Sequence, residues 1–325
     1  MLRPLLGLLL ACLLPWTAAP AQEAAAPFPS RPVRLIVPFA TGGPSDIVAR
    51  LMAPRMTEAL GQPVVVEARP GAGGVTGLDA AAKAAPDGTT IALGSAGGLA
   101  ISPSLQPAMP YDTLRDLAPI TLAVVVPEPV VVPAALPWRT LAELLAAARA
   151  QPGRLNYGST GPGSMPHLGG ELIRIAAGVD IAHVPYRGGA PLVTALLAGE
   201  VQMGLADLPV LMPHLRAGAL RALAVGHAER VPWLPEVPTM REAGLPEVST
   251  DNWHGLVAPA RTPPAALALL HRAALAALRD PEVARRLHDA GAIPSPGSPE
   301  EFAAFIRTET ARWGEVVRRA GVKLD

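Results

Sequence analysis

A single cysteine, Cys12, occurs in the 325-residue chain, and it lies inside the first apolar stretch. That excludes a disulfide framework, and it excludes a thiolate nucleophile anywhere beyond that stretch. Charge is sparse as well. Basic and acidic residues number 27 each and cancel, and lysine occurs only at Lys83 and Lys323. No basic stripe is present to follow a phosphate backbone, which argues against a nucleic-acid partner. Tyrosine is limited to Tyr111, Tyr157 and Tyr186, too few for ferric capture by a phenolate cluster. The histidines at 167, 183, 214, 227, 254, 271 and 288 show neither H-x₃-H nor HExxH spacing, so no metal and no cofactor is expected. After the N-terminal stretch no apolar run reaches about eighteen residues, the length a spanning helix needs. What the chain has in quantity is hydrophobic side chains, at 50%, together with 31 glycines and 38 prolines. That suits a folded chain with a sizeable core and sharply punctuated turns, and it excludes disorder.

The first residues read as an address. Arg3 precedes the apolar run Leu5 to Leu14, and Ala19-Pro20-Ala21 follows it. A basic start, a short apolar stretch and a small-x-small site predict a secretory signal peptide over residues 1–21, cleaved after Ala21. Leu9-Leu10-Ala11-Cys12 also resembles a lipoprotein acylation site. Cys12 comes very early, however, and apolar residues continue past it, which favours cleavage. The expected location is periplasmic.

Beyond residue 22, strand and helix patterns alternate. Val33 to Phe39 predicts a buried strand, followed by a helix from about Ser45 to Leu60 that Pro54 is expected to kink. Strands are predicted at 64–67, 90–93, 155–158, 181–184, 201–206, 220–225 and 253–258. Between and after them, helices are predicted near 166–177, 190–198, 209–217, 264–279, 281–290 and 299–320. Val124 to Val132 reads as two strands broken at Pro127-Glu128-Pro129. Thr140 with Glu143 three residues on predicts a capping box and a helix to about Ala150. The fold class is therefore α/β, with two mostly parallel sheets flanked by helices. The proline-rich segments 127–137 and 231–246 are candidate crossings between two domains. The expected division is 22–123 with 249–325 for domain one, and 124–248 for domain two. A cleft between domains is a favoured ligand site.

Polar loops stand at several expected strand ends, where open α/β sheets bind ligands. Pro38 to Asp46 opens a helix, and a helix start presents free amides to an anion or carboxylate; it is equally a plain capped turn. Tyr157 to His167 offers three hydroxyls, free amides and an imidazole, and equally a well-capped loop. Ser95 ends a third strand, and His183 to Gly189 a fourth, where Tyr186 is either packed or aimed at the cleft. Gly71 to Gly77 carries Thr76 where GxGxxG requires glycine, and no GxxxxGK[ST] occurs, so nucleotide loops are unsupported. Ser164, His167 and Asp207 are the residues from which a hydrolase triad would be drawn. No G-x-S-x-G elbow accompanies them, and no catalytic residue is expected.

Taken in order, VRLIVPFATGGPSDIVAR, LGQPVVVEARPGAGG, PDGTTIALGS, GSTGPGSMPHLGGE, GVDIAHVPYRGGAP, LLAGEVQMGLAD, LRAGALRALAV, LPEVPTMREAGLPE, WHGLVAPARTP and the tail from SPEEFAAFI resemble the tripartite tricarboxylate transporter substrate-binding proteins, the Bordetella uptake gene family. The resemblance covers nearly all of the chain after residue 21. It implies a type II periplasmic binding fold whose cleft closes on a hinge. It also implies a non-enzymatic receptor that delivers a small carboxylate to a membrane permease; a monomer is expected. In that family the carboxylate is held by backbone amides, hydroxyls and waters. Position by position, the implied contacts are Phe39, Gly42, Gly43, Asp46 and Ser95 from domain one. From domain two they are Ser159, Thr160, Gly163, Ser164, His167, Tyr186 and Asp207. Thr41 stands where proline is usual, Ala68 where asparagine is common, and Ala206 where phenylalanine is usual, which leaves the ligand open among di- and tricarboxylates, amino acids and aromatic acids. A ligand sensor feeding a signalling partner and a secreted hydrolase are the alternatives.

Overall fold

The computed structural model describes residues 28–106 and 108–323; the expected signal peptide and Cys12 lie outside the described residues. In chain order the first half comprises β1 (Val33–Val37), α1 (Pro44–Leu60), β2 (Val64–Ala68), α2 (Val75–Ala82), β3 (Thr90–Ser95), α3 (Ser102–Leu105), α4 (Thr113–Asp116), β4 (Leu117–Val126), β5 (Pro129–Pro133) and α5 (Leu141–Ala150). There follow β6 (Leu155–Ser159), α6 (Met165–Ala177), β7 (Ile181–Pro185), α7 (Gly189–Ala198), β8 (Met203–Leu205), α8 (Leu208–Arg216), β9 (Leu220–Val225), β10 (Asn252–Pro259), α9 (Pro264–Leu278), α10 (Pro281–Asp289), β11 (Ile293–Pro294) and α11 (Pro299–Ala320).

Two sheets result. One has six strands in the order β11-β4-β10-β3-β1-β2, the other five in the order β7-β6-β8-β5-β9. The expectation of mostly parallel sheets needs correcting. β1 pairs parallel with β2 and β3, and β6 pairs parallel with β7 and β8, but β4, β5, β9, β10 and β11 all pair antiparallel. The reason lies in the connectivity. Successive β-α-β units return each strand in the same direction, whereas a strand that carries the chain from one sheet to the other enters against its neighbours. The first passage is Pro127-Glu128 and the second runs from Val225 to Asn252. β4 stays in the six-stranded sheet to Val126, slightly beyond the expected boundary after residue 123. The crossing is also shorter than the segment 127–137, because Pro129–Pro133 is itself a strand.

Local chemistry explains the helices. The Thr140–Glu143 capping box forms at the start of α5, and a second, Ser298–Glu301, starts α11. α1 runs unbroken through Pro54, which faces solvent, so water can serve the carbonyl that the proline leaves unpaired. α11 returns after the second passage and packs on β4, α3 and α6, joining both halves. At its centre, Glu309 Oε2 accepts from Trp253 Nε1 (3.2 Å) and Trp313 Nε1 (2.9 Å), all three buried. No described helix is long and apolar enough to cross a membrane.

Candidate functional site

The carboxyl ends of β1, β2 and β3 in one sheet face those of β6 and β8 in the other, so the polar loops of both converge. Gly97 marks the junction. A methyl group built on it would lie 3.4 Å from the Gly73 carbonyl oxygen, 3.5 Å from that of Gly163 and 3.6 Å from Ser95 Oγ. Ser95 and Gly163, drawn from different sheets, are thus brought within a few ångströms of one point. Gly73 similarly approaches Pro162. Beside this junction a groove of about 1140 Å³ runs from Ala72-Gly73 and Gln106 past Pro162 to His167, Glu171, Arg174 and His183.

On the first sheet's side, Asp46 closes the β1–α1 loop from behind. Its Oδ2 accepts from Gly42 N–H (2.9 Å) and from Arg50 Nε (2.8 Å), while Oδ1 is buried with no partner among the described residues. Burial works against ionising Asp46, but Arg50 and the Gly42 amide outweigh it and hold the carboxyl below the usual carboxylate range. Gly42 is exposed at φ 84°, a conformation that favours glycine. Gly43 caps α1, and Phe39 packs its ring against Gly74.

The opposing loop is more self-contained than its composition suggests. Ser164 caps α6, donating to the Gly161 carbonyl (2.7 Å) and accepting from His167 N–H (3.3 Å). Gly163 N–H donates to His167 Nδ1 (3.1 Å), and Gly161 N–H to Ser159 Oγ (3.2 Å). Several amides expected to be free are therefore engaged inside the loop, and Pro166 at the second helical position has none to offer. Thr160 remains half-buried at the loop's crest. His183 Nε2 lies 2.7 Å from Ser159 Oγ, and the His167 and His183 rings stack at 3.9 Å and 10°. Burial lowers His167, against a smaller pull from Glu171, and burial together with His167 lowers His183 to about 3. Both rings are neutral at physiological pH.

Not every expected residue points to the junction. Tyr186 packs against Gly158 on the α7 side, with its hydroxyl toward Glu200. The triad reading fails on geometry. His167 Nδ1 is occupied by Gly163 N–H rather than by Ser164 Oγ, and Asp207 Oδ1 accepts from Asn252 Nδ2 (2.9 Å). Three polar residues join the site that sequence reasoning missed. Ser45 Oγ lies 3.3 Å from His254 Nδ1, His254 Nε2 lies 4.0 Å from Asp207 Oδ2, and Asn252 holds Asp207. His254 pairs with Ser95 across the β10–β3 ladder, and the β10–β4 register shifts between His254 and Gly255, an irregularity of the kind that re-aims side chains next to functional sites. Burial lowers His254, with Asp207 opposing. A histidine inside the wholly buried run of β10 was the available signal.

The profile described as "Tripartite tricarboxylate transporter family receptor" matches residues 48–322. The chain belongs to this receptor family. Protein BugT of Bordetella pertussis is 40% identical over 305 residues, 94% of each chain. Among solved structures, Rpa4515 of R. palustris with adipate is 37% identical with a TM-score of 0.86, over 91% of this chain and 99% of that one. MatC from Rhodopseudomonas palustris with bound malate is 35% identical at 0.82, over 89% and 100%. The receptor family accounts for the whole described fold and for a cleft framed by loops from two sheets.

Proposed function

We propose that the chain captures a small carboxylated solute in the cleft between its two sheets, closes over it, and delivers it to a membrane permease of the tripartite type, with no chemistry on the solute. The observation that carries this reading is the approach of Ser95 and Gly97, at the end of β3, to Gly163 of the opposing sheet, beside loops that open helices, where a helix start favours an anion. Relatives of the same fold hold adipate and malate. Arg50, the guanidinium at the first loop, is already tied to Asp46, which fits a carboxylate held by amides and hydroxyls. The contact residues are Phe39, Gly42, Gly43, Asp46, Ser95, Ser159, Thr160, Gly163, Ser164, His167 and Asp207, with Tyr186 swinging in only in another arrangement. The expected domains, 22–123 with 249–325 and 124–248, hinge at the two passages, with β4 remaining in the first domain's sheet to Val126. The receptor acts as a monomer in the periplasm, exported through residues 1–21.

Thermal unfolding of the purified protein against malate, adipate and their amides tests the reading. A ligand at 100 times its Kd adds about 2.7 kcal/mol, and about 2–4 °C per kcal/mol is usual for chains of 150–250 residues. A rise of several degrees with an acid but not with its amide is expected; equal rises with both would end the carboxylate assignment.

A further inference from the structure

The point where the chain first passes between sheets holds a carboxyl with no counter-charge. Glu128, flanked by Pro127 and Pro129, is fully buried, and neither of its carboxyl oxygens meets an N–H or O–H among the described residues. It faces two more carboxyls instead: Asp207 from the β8–α8 turn and Asp251 from the return passage. Around these, Asn252 Nδ2 donates to Asp207, His254 Nε2 stands 4.0 Å from Asp207 with no hydrogen-bond partner among the described residues, and His227 Nδ1 is 2.6 Å from Asp251. Among the described residues, histidines are the only basic side chains within 4.0 Å of the Asp207 and Asp251 carboxyls. The Glu128 backbone ties the same place together. Its carbonyl accepts from Gly226 N–H (3.2 Å) and from Thr250 Oγ1 (3.1 Å), while Pro127 accepts from Leu208 N–H (3.0 Å) at the start of α8.

Carboxyls that face each other away from water oppose each other's ionisation, and one shared proton converts that repulsion into a charge-assisted O–H···O bond. We propose that Glu128 and Asp207 share one proton, with Glu128 donating, and that this bond is what positions Asp207 between the hinge and the cleft. Asn252 already donates to Asp207 Oδ1, so Asp207 is the natural acceptor and Glu128 the positioning residue. Burial first, then Asp207 and Asp251, pushes Glu128 well above the usual carboxylate range. The sign follows from linkage: the folded chain keeps a proton that the unfolded chain releases, so this group costs stability progressively as pH rises above its unfolded value of about 4.3. His227, raised first by its hydrogen bond to Asp251, also loses its contribution as pH rises, so variants must be compared with wild type at each pH.

Infrared spectroscopy of the purified protein without ligand tests this, and it stands or falls independently of the carboxylate-receptor reading. The carbonyl stretch of a protonated, buried carboxylic acid is expected at neutral pH in wild type. It should vanish in Glu128→Gln, whose amide can still donate to Asp207, and titrate at lower pH in Asp207→Asn. Glu128→Gln should also unfold at a higher temperature than wild type at pH 8 and match it near pH 4, whereas Glu128→Ala, with no donor, should lose stability at both. No such band in wild type overturns the proposal, as does a band that titrates unchanged in Asp207→Asn or wild-type and Glu128→Gln melting curves that stay parallel across pH. The wild-type and Asp207→Asn spectra decide the matter even if Glu128→Gln fails to fold.

Discussion

His167 and His183 show how one residue type holds the loop before α6 from beneath. His167 accepts the Gly163 amide at Nδ1, and His183 meets the Ser159 hydroxyl, so the stacked pair pins both ends of the loop from 159 to 163. The first of these bonds depends on a neutral ring. A proton on Nδ1 of His167 would replace the acceptor by a second donor facing the Gly163 N–H, and a charge on both rings would repel across 3.9 Å. The folded values lie below the unfolded value of about 6.5, with His183 at about 3. The folded state therefore binds fewer protons, and the contribution is complete above pH 6.5 and lost as pH falls toward 3. The expected outcome is that the unfolding midpoint of wild type drops on acidification below pH 6.5, while that of His183→Gln, which still reaches Ser159 but does not titrate, drops less. Differential scanning calorimetry from pH 7 to 4 checks this, and parallel curves for the two proteins would refute it.

β10 is the element on which most depends, since it sits between β4 and β3, is buried along its whole length, and carries Asn252 and His254 to the cleft. Its Gly255 lets α11 lie close: a Cβ there would fall 2.0 Å from the Phe302 ring. Gly255→Ala must displace that ring or the helix, and overpacking of this kind costs about 1–3 kcal/mol. A midpoint lower by several degrees is expected, with partial recovery when Phe302→Leu is added, because the two positions touch and their effects are not additive. A wild-type midpoint for Gly255→Ala would show that α11 is not seated there. Sequence made much of this level legible. The start of α5 follows from its capping box, β9 from an apolar run between turns, and α11 was expected near 299–320, where it lies. The first half of β4 did not show, because Ala118-Pro119 reads as a break, and the wide helical turn over Gly97–Ile101 that precedes α3 was not expected either. Strand direction at the passages was illegible too, since it is set by which sheet the chain enters, not by local pattern.

At the scale of the whole molecule, the candidate site divides into what is local and what is assembled. The loops from Gly42 to Asp46 and from Ser159 to His167 are contiguous and declare themselves by glycines, hydroxyls and the helices that follow. The cluster of Ser45, Glu128, Asp207, Asn252 and His254 spans more than two hundred residues of sequence and exists only once both passages lie side by side. The same assembly governs how binding should respond to mutation. Asp46 organises the β1–α1 loop and Ser164 caps α6 behind the opposing loop, so each shapes one jaw of the proposed cleft. Ser164→Ala removes a helix cap, worth about 0.5–2 kcal/mol, and Asp46→Ala frees the Gly42 amide and Arg50; neither loss should unfold the chain. A ligand gripped by both jaws is held by contacts that exist only when they close, so damage to either jaw weakens the whole. Each variant is expected to bind malate or adipate, whichever stabilises wild type, about tenfold more weakly, equivalent to about 1.4 kcal/mol. Because closure joins the two loops, the double variant should lose less than the product of the single losses, since a ligand that has lost one jaw has little left to lose from the other. Isothermal titration of the four proteins decides it: wild-type affinity in both single variants would remove these loops from the site, and strictly multiplicative losses would mean that they hold the ligand independently, without a coupled closure.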